Sequence, residues 1–318
     1  MNTIPLIFNQ RQINRTVLGG KERMPSVSLN IAVLLLNSEG SHYRIQTLEN
    51  LSKCGFQSIV SFERTSENYN LEDISHRFPY VKFIVPLEPV TDGDLINIGM
   101  SEVDAEYVLV MRDRVSFAPD ALTVRLAEKL LAEKPYCVVP RLICPTAPNF
   151  PIVFTPSVTD SMLDVETEST ISDGRPTLYP FDYIGLYNRQ TFIQLGGYDY
   201  TITSPYWQNL DLSFRAWLWG EKITISTVFN LSYQDEPPSE DTTANLSSSR
   251  FYLKNLVPEF VDDHGVIARS SFWVYLRRSG CGFFETLRQF NDARFWVDKN
   301  KYRFRRDAAY IVENWGTL

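Results

Sequence analysis

The chain has 318 residues, of which 44% are hydrophobic, 22% charged and 13% aromatic. That composition is typical of a globular protein with a sizeable core. The net charge of −7 is uneven, because the residues from Arg269 onward hold ten Lys and Arg against five Asp and Glu and leave −12 on the rest. An acidic body excludes nucleic acid as the main partner, since phosphate binding needs a broad basic face.

Cysteine spacing and hydropathy indicate the cellular compartment in which the protein is expected to lie. None of the four cysteines forms a CxxC pair, which argues against a zinc knuckle. Four reduced thiols are the favoured interpretation, and a pairing of Cys137 with Cys144 is the alternative. The sequence shows neither an apolar run of about 18 residues nor a charged-then-apolar start. We therefore expect a cytoplasmic location.

The first part of the chain alternates strand and helix patterns. Leu29 to Leu36 is a continuous apolar run, typical of a buried parallel strand, and turn residues follow it. Further strands are expected at 58–62, 81–85 and 107–111, and helices at 43–54, 94–103 and 121–134. This alternation predicts βαβ units and a largely parallel sheet covered on both faces.

The pattern changes between residues 135 and 173. Pro135 to Pro156 contains six prolines, and residues 160–173 are polar and acidic. We expect an irregular insertion here, which is either a functional lid or a surface excursion. Regular patterns return with a strand at 181–188, a helix ending before Gly196-Gly197, a helix at 211–219 and a strand at 222–228.

The C-terminal fifty residues are basic and contain twelve aromatic side chains in helical-looking segments. One interpretation is a helical pair packed on the rest of the protein. The other is a surface that rests on anionic lipid or on an acidic partner, because basic and aromatic residues together suit a membrane interface.

Four landmarks in one order resemble the family 2 glycosyltransferases, which share the GT-A fold. The first is the opening strand that ends in Asn37. The second, Ile59 to Ser66 (IVSFERTS), stands where that family has a strand followed by Asp-Asp-Gly-Ser. The third, Tyr107 to Pro119 (YVLVMRDRVSFAP), stands where the family has a metal-binding Asp-x-Asp. The fourth, Leu195 to Gly220 (LGGYDYTITSPYWQNLDLSFRAWLWG), is similar to the family's "GGFDE … EDxDLxxRxxxxG".

The resemblance covers Ser28 to Lys254, about seventy per cent of the chain. It implies an α/β fold of the GT-A, Rossmann-like type, with a mostly parallel sheet flanked by helices and a C-terminal helical extension. The expected divisions are an N-terminal lead-in at 1–27, the glycosyltransferase-like domain at 28–254 and the basic, aromatic extension at 255–318.

By this resemblance, a nucleotide site lies at the ends of the first strands. Asn37, Glu63 and Ser66 are the expected nucleotide-binding residues there. Glu63 replaces the family's Asp and keeps a carboxylate for the ribose or the base. An exposed Glu on a loop is the alternative interpretation.

The Asp-x-Asp position reads Arg112-Asp113-Arg114 in this chain. Divalent ions need oxygen ligands, so this change argues against a metal. No His occurs in residues 231–235, where the family often has a third metal ligand. The two arginines are expected to bind the diphosphate, since guanidinium groups pair with phosphate bidentately, and Asp113 between them is counted among the nucleotide-binding residues. The alternative is a surface salt-bridge cluster.

The family's catalytic acids fall on the amides Gln208 and Asn209. Asn209 stands in the base position, and the nearby acids Asp211 and Asp199 are the other candidates for catalysis. Tyr206 and Trp207, with Gln208, are expected to bind an acceptor through aromatic stacking, or else to belong to the core.

These changes leave two main functional hypotheses. The first is a protein that binds a nucleotide-diphosphate sugar and transfers the sugar, without a metal, to a saccharide or lipid-linked acceptor of the envelope or a polysaccharide. The second is a non-catalytic relative that acts as a scaffold beside a partner glycosyltransferase. A nucleotidyltransferase is disfavoured, because no Gly-rich phosphate loop follows the first strand.

Overall fold

The computed structural model describes residues 3–38, 42–63, 70–147, 150–159, 162–169 and 172–318. Ser66 therefore lies outside the described residues. The strands are β1 Arg15–Gly19, β2 Ile31–Leu36, β3 Ser58–Phe62, β4 Val81–Pro86, β5 Tyr107–Arg112, β6 Val115–Ser116, β7 Cys137–Ile143, β8 Val153–Thr159, β9 Met162–Glu168, β10 Gly185–Asn188, β11 Ile223–Tyr233, β12 Glu259–Val261 and β13 His264–Val266.

Nine of these strands form the central sheet, in the order β1-β4-β3-β2-β5-β10-β7-β11-β6. Only β1, β6 and β10 run against the other six strands. Every residue of β2 and of β5 is buried, which explains why both are continuous apolar runs. The predicted mostly parallel α/β sheet is therefore confirmed.

Ten α-helices surround the sheet: α1 Arg44–Leu51, α2 Leu71–Arg77, α3 Asp92–Glu102, α4 Val124–Leu131, α5 Arg189–Gln194, α6 Pro205–Leu218, α7 Leu246–Phe251, α8 Ser271–Ser279, α9 Phe283–Asn300 and α10 Ala308–Asn314, all within the described residues. A capping box at Thr91 fixes the start of α3. Pro205 fixes the start of α6, since proline suits the first position of a helix.

The C-terminal helices pack against the sheet domain through aromatic side chains. Trp296 of α9 stacks on Trp219 with ring centroids 6.1 Å apart, and its Nε1 donates to the carbonyl oxygen of Pro5 at 3.1 Å. Trp315 meets Trp217 at 4.8 Å. No helix of the described segments is both long enough and apolar enough to cross a bilayer.

The expectation of an irregular insertion at 135–173 was largely wrong, because this segment contains β7 and the β8–β9 hairpin. Its prolines stand where strands tolerate them. Pro140 lies beside a register shift between β7 and β11, and Pro156 lies in a two-stranded hairpin.

Two further boundaries differ from the prediction. The expected strand at 181–188 begins with a 3₁₀ turn at Phe181–Tyr183, because Asp182 and Tyr183 have φ angles of 51° and 64°. The helix expected at 211–219 begins at Pro205, so the Gln208-Asn209 pair lies inside α6.

All four cysteines are free thiols.

Candidate functional site

The carboxyl ends of β2, β3 and β5 lie side by side and bring three of the predicted residues to one edge of the sheet. Asn37 follows β2, Glu63 follows β3 and Arg112 ends β5. In open α/β sheets this edge is where ligands bind. By their contacts, the predicted residues form three groups. One lies at the strand ends, one consists of the acids and amides in and around α6, and one contains the aromatic residues Tyr206 and Trp207.

The first group is built around Asn37 and Glu63. The Asn37 Nδ2 donates to Glu63 Oε1 at 2.8 Å and to the carbonyl oxygen of Phe62 at 2.9 Å. Glu63 is buried and pairs with Arg44 at 2.5 Å. Burial raises the pKa of Glu63, against the opposing charge of Arg44. The Oδ1 of Asn37 is buried and has no hydrogen-bond partner in the described part of the chain.

The neighbouring Asp113 and Arg114 are tied to Ser38. The Ser38 N–H donates to Asp113 Oδ1 at 3.1 Å, and Arg114 Nη2 donates to Ser38 Oγ at 3.2 Å. Asp113 is fully buried, and its Oδ2 has no partner among the residues that the structure describes. Arg114 is half-buried, and no carboxylate of the described segments lies within ion-pair distance of it.

Arg112 is bound quite differently. It is buried, and it donates to Asp182 Oδ1 from Nε at 2.9 Å and from Nη2 at 2.6 Å. Its Nη2 also meets Asp92 Oδ2 at 2.8 Å. Burial lowers the pKa of Arg112, but Asp182 and Asp92 outweigh burial and hold that pKa well above its ordinary value. The Arg112 charge is therefore neutralised inside the protein.

A strained turn places Asp182 beside Arg112. Asp182 and Tyr183 are consecutive non-glycine residues with positive φ, a conformation that costs energy and persists only where surrounding contacts impose it. The second carboxylate oxygen of Asp182 accepts from the Tyr233 hydroxyl at 3.1 Å. The turn thus links the end of β5 to the end of β11.

The donor set at the Arg112-Asp113-Arg114 position does not fit a divalent cation. Two guanidinium groups repel a cation, and one oxygen of the single carboxylate is taken by Ser38. In the described ranges, no group of three or more His, Cys, Asp or Glu side chains is close enough together to hold a metal ion.

The second group, Asp199 and Asp211, surrounds a buried lysine. Lys254 is fully buried, and its Nζ lies 2.8 Å from Asp199 Oδ2 and 2.8 Å from Asp211 Oδ2. Asn255 also donates to Asp211, at 2.8 Å. Burial raises the pKa of Asp199, but the charge and hydrogen bond of Lys254, helped by Thr201, bring that pKa below its usual value. Neither acid reaches solvent, so the geometry disfavours both as proton acceptors.

The amides Gln208 and Asn209 are buried in α6. Gln208 accepts from the Gly93 N–H at 3.1 Å and donates to Thr91 Oγ1 at 2.9 Å, so it joins α6 to the start of α3. The Asn209 Nδ2 donates to the carbonyl oxygen of Pro180 at 2.7 Å. Its Oδ1 has no partner in the part of the chain that the structure describes.

The third group combines the predicted acceptor aromatics with a residue that sequence reasoning missed. Tyr206 is buried, and its ring lies 4.9 Å from the half-buried Trp207 and 5.9 Å from Tyr179. The Tyr179 hydroxyl donates to Glu240 Oε2 at 2.6 Å. Trp207 Nε1 donates to the carbonyl oxygen of Thr243 at 3.0 Å, so the loop that carries Glu240 covers the aromatic pair.

Glu240 stands out electrostatically. It is half-buried, and burial raises its pKa to about 7, with the Tyr179 hydrogen bond opposing and the negative charge of Asp182 adding to the rise. Glu240 is therefore held beside Tyr179, whose ring packs on Tyr206, and it is close enough to Asp182 to be affected by its charge. Its only sequence signal was a polar, proline-containing loop, which gives no indication of these long-range contacts.

Comparison with known proteins identifies the fold. No protein-family model matches the chain, and no curated protein matches it either. Among solved structures, one of GalNAc-T7 with UDP, GalNAc and Mn²⁺ aligns with a TM-score of 0.58 at 13% identity, over 91% of this chain and 58% of that chain. A structure of Staphylococcus aureus TarS 1-349 in complex with UDP-GlcNAc aligns with a TM-score of 0.48 at 11% identity, over 85% of this chain and 72% of that one.

The chain therefore has the GT-A fold of glycosyltransferases. It spans 58% of the length of the GalNAc-T7 chain. At this level of identity the likeness concerns the fold, so the activity must be argued from the residues above.

Proposed function

We propose that the chain binds a nucleoside-diphosphate sugar at the carboxyl edge of the sheet, and that Arg114 binds the diphosphate in place of a metal. The observation that carries this proposal is the contrast between the two arginines. Arg112 is neutralised by Asp92 and Asp182, whereas Arg114 lies at the same strand end with Ser38 Oγ as its side-chain contact. Of the two arginines expected from sequence to bind the diphosphate, we therefore retain Arg114 and assign Arg112 a structural role.

Two buried acceptors near Ser38 and Arg114 suit the nucleoside part of the donor. Asn37 Oδ1 and Asp113 Oδ2 lie at the ends of β2 and β5, and neither has a hydrogen-bond donor among the residues that the structure describes. The hydroxyls of a ribose and the N–H groups of a base are such donors. Glu63 keeps Asn37 in position by accepting its amide hydrogen.

For the transfer step, we assign the acceptor proton to Glu240, which accepts a hydrogen bond from Tyr179 and lies in the loop that contacts Trp207. In this step the bond from the sugar carbon to the diphosphate oxygen breaks, and a bond from that carbon to the acceptor oxygen forms. Glu240 takes the hydroxyl proton, and Arg114 balances the charge that develops on the diphosphate. A base with a pKa near 7 is well matched to this role.

Tyr206 and Trp207 lie on the acceptor side of this arrangement. Their rings suit the apolar faces of a saccharide, either free or lipid-linked, as in an envelope or polysaccharide acceptor. Asp199 and Asp211 are assigned a structural role, because Lys254 neutralises both. Asn209 has no proton-accepting carboxylate to offer.

The experiment is a calorimetric titration with UDP, GDP, CDP and dTDP, each in EDTA and each with Mn²⁺. We expect one nucleotide to bind equally well in both conditions. Arg114→Ala should weaken that binding about 10- to 100-fold, the value of one charge-assisted contact. Arg125→Ala, at an exposed arginine on α4, is the matched control and should change nothing. Binding that needs Mn²⁺, or that is unchanged in Arg114→Ala, would refute the clamp.

A second candidate function is a non-catalytic scaffold subunit beside a partner glycosyltransferase. The observation that favours it is the neutralisation of Asp199, Asp211 and Arg112 by internal ion pairs. This candidate predicts no binding of any of the four nucleotides and a stable complex with an active glycosyltransferase. The same titration therefore separates the two.

A further inference from the structure

The first turn of α8 and the first turn of α9 carry exposed apolar side chains around the buried Phe272, whose ring lies 5.3 Å from Trp273 and 5.7 Å from Phe283. We call this group the hairpin tip. It consists of Trp273, Val274, Phe283 and Phe284, which are 60%, 58%, 47% and 85% exposed. Single exposed apolar residues are ordinary, but a group containing three large exposed aromatic side chains around one ring marks an interaction surface. Burial of such a group from water is strongly favourable.

Helical geometry explains why these side chains remain outside. The buried face of α8 carries Phe272 and Tyr275, and Phe272 packs on Phe290 of α9 at 5.5 Å. Trp273 and Val274 are next to Phe272 in sequence and so lie on other faces of the helix. The hairpin core is therefore filled without them.

The charges around the hairpin tip are mainly positive. From Gly265 to Phe284 the sequence contains three arginines and no Asp or Glu, and the next acid, Glu285, is paired with Arg288 at 2.6 Å. Arg277 is exposed and lies four residues after Trp273 in α8, which places the two along the same side of the helix, and Arg269 is exposed just before the helix begins. Arg278 packs its guanidinium over Tyr252 at 4.4 Å.

We propose that the hairpin tip docks on an anionic lipid surface, with its aromatic side chains in the interface and its arginines at the phosphate groups. Trp and Phe favour the boundary between headgroups and acyl chains, and arginines beside them are attracted by acidic lipids. The rest of the molecule carries a net negative charge, so an anionic membrane repels it and orients the protein tip first. This surface is separate from the nucleotide site and does not depend on it.

The test is flotation of the full chain with vesicles of neutral phosphatidylcholine alone or with about 30% phosphatidylglycerol added. We expect binding to the acidic vesicles only, and its loss at high salt. The double variant Trp273→Ala/Phe284→Ala should weaken binding at least about 10-fold. Arg277→Glu should weaken it by at least about 5-fold. Each variant is first checked for unchanged thermal unfolding.

Phe295→Ala is the matched control. Phe295 is also aromatic, is 53% exposed and lies on the same helix, three turns from the tip. Phe295→Ala should leave flotation unchanged. If it weakens binding as much as the double variant does, the whole of α9 contributes to binding and the assignment to the hairpin tip is wrong. Equal binding to neutral and acidic vesicles would overturn the electrostatic half of the proposal. Absence of flotation would overturn it entirely and indicate a protein partner for this surface.

Discussion

Arg112 donates two hydrogen bonds to a single carboxylate oxygen of Asp182, across 70 residues of chain. The residue with which the family's metal-binding motif would begin is therefore part of a buried ion pair in this protein. Together with Asp92, this pair holds the strained turn at Asp182 against the end of β5. The contact makes Arg112 a structural residue, which is why the proposed function assigns the diphosphate to Arg114 alone.

Arg112→Met should therefore destabilise the protein. The substitution leaves the carboxylates of Asp92 and Asp182 buried without their partner, and breaking a buried pair in this way costs about 3–5 kcal/mol. Urea unfolding measures the loss. Arg114→Ala, two residues away and half-buried, should change the unfolding free energy by less than about 1 kcal/mol. If the two variants lose similar stability, the division of roles between the arginines is wrong.

A second buried charge, Lys254, which pairs with Asp211 of α6, leads to a similar prediction. Lys254→Met should cost about 3–5 kcal/mol, because it leaves Asp199 and Asp211 unpaired in the core. The exposed pair of Lys301 and Asp298 supplies the control, since Lys301→Met should cause no measurable loss. Unfolding curves that overlay for the wild type and Lys254→Met would show that the triad does not stabilise the fold.

Much of this fold could be predicted from local sequence. The strands Ile31–Leu36 and Tyr107–Arg112 are buried on both faces and read as continuous apolar runs. The hairpin at 153–168 could not, because its second strand is acidic and has no buried residue, and because the prolines before and within the first strand suggested irregular structure.

The site was harder to predict than the fold. Sequence reasoning named Arg112 and Asp211, but their partners stand far along the chain: Asp182 is 70 residues from Arg112, and Lys254 is 43 residues from Asp211. No local pattern encodes such contacts. Whether a charged side chain is free for a ligand depends on those partners, so this property became visible only in three dimensions.

Glu240 should produce a pH dependence that Glu240→Gln removes. Burial raises the folded-state pKa of Glu240 from 4.5 to about 7, so the folded protein binds more protons than the unfolded chain between these values. The contribution of Glu240 to stability is then fully present below pH 4.5 and is lost as the pH rises to about 7. Unfolding free energies of the wild type and the variant, measured from pH 4 to pH 8, should differ by an amount that changes across this window.

The same variant tests the catalytic proposal. Glu240→Gln should lower sugar transfer about 100- to 10,000-fold while nucleotide binding stays unchanged, since a general base acts on the chemical step. Release of the nucleoside diphosphate from its sugar conjugates, with water or a supplied saccharide as acceptor, provides the readout. Glu236→Gln, in the same loop, is the control. Transfer that survives Glu240→Gln would remove Glu240 from the mechanism.

Placing at position 209 the acid that the family 2 glycosyltransferases have there should destabilise this protein at neutral pH. The Asn209 Nδ2 donates to the Pro180 carbonyl oxygen at 2.7 Å, and a carboxylate oxygen there would face that carbonyl oxygen without a proton between them. Asn209→Asp should therefore cost about 1–3 kcal/mol, the penalty of an unsatisfied buried group. Burial raises the pKa of the introduced carboxyl above its unfolded value of about 3.9, so the penalty should vanish below that pH and grow as the pH rises.

Urea unfolding of Asn209→Asp at pH 4 and pH 8 measures this growth. Asn291→Asp, at an exposed position on α9, controls for the added charge and should unfold like the wild type at both values. A variant that is equally stable at pH 8 and gains transfer activity would show that position 209 accepts a working base. In that case the contact with the Pro180 carbonyl oxygen does not explain the amide at position 209. The assignment of Glu240 as the proton acceptor would then also be wrong.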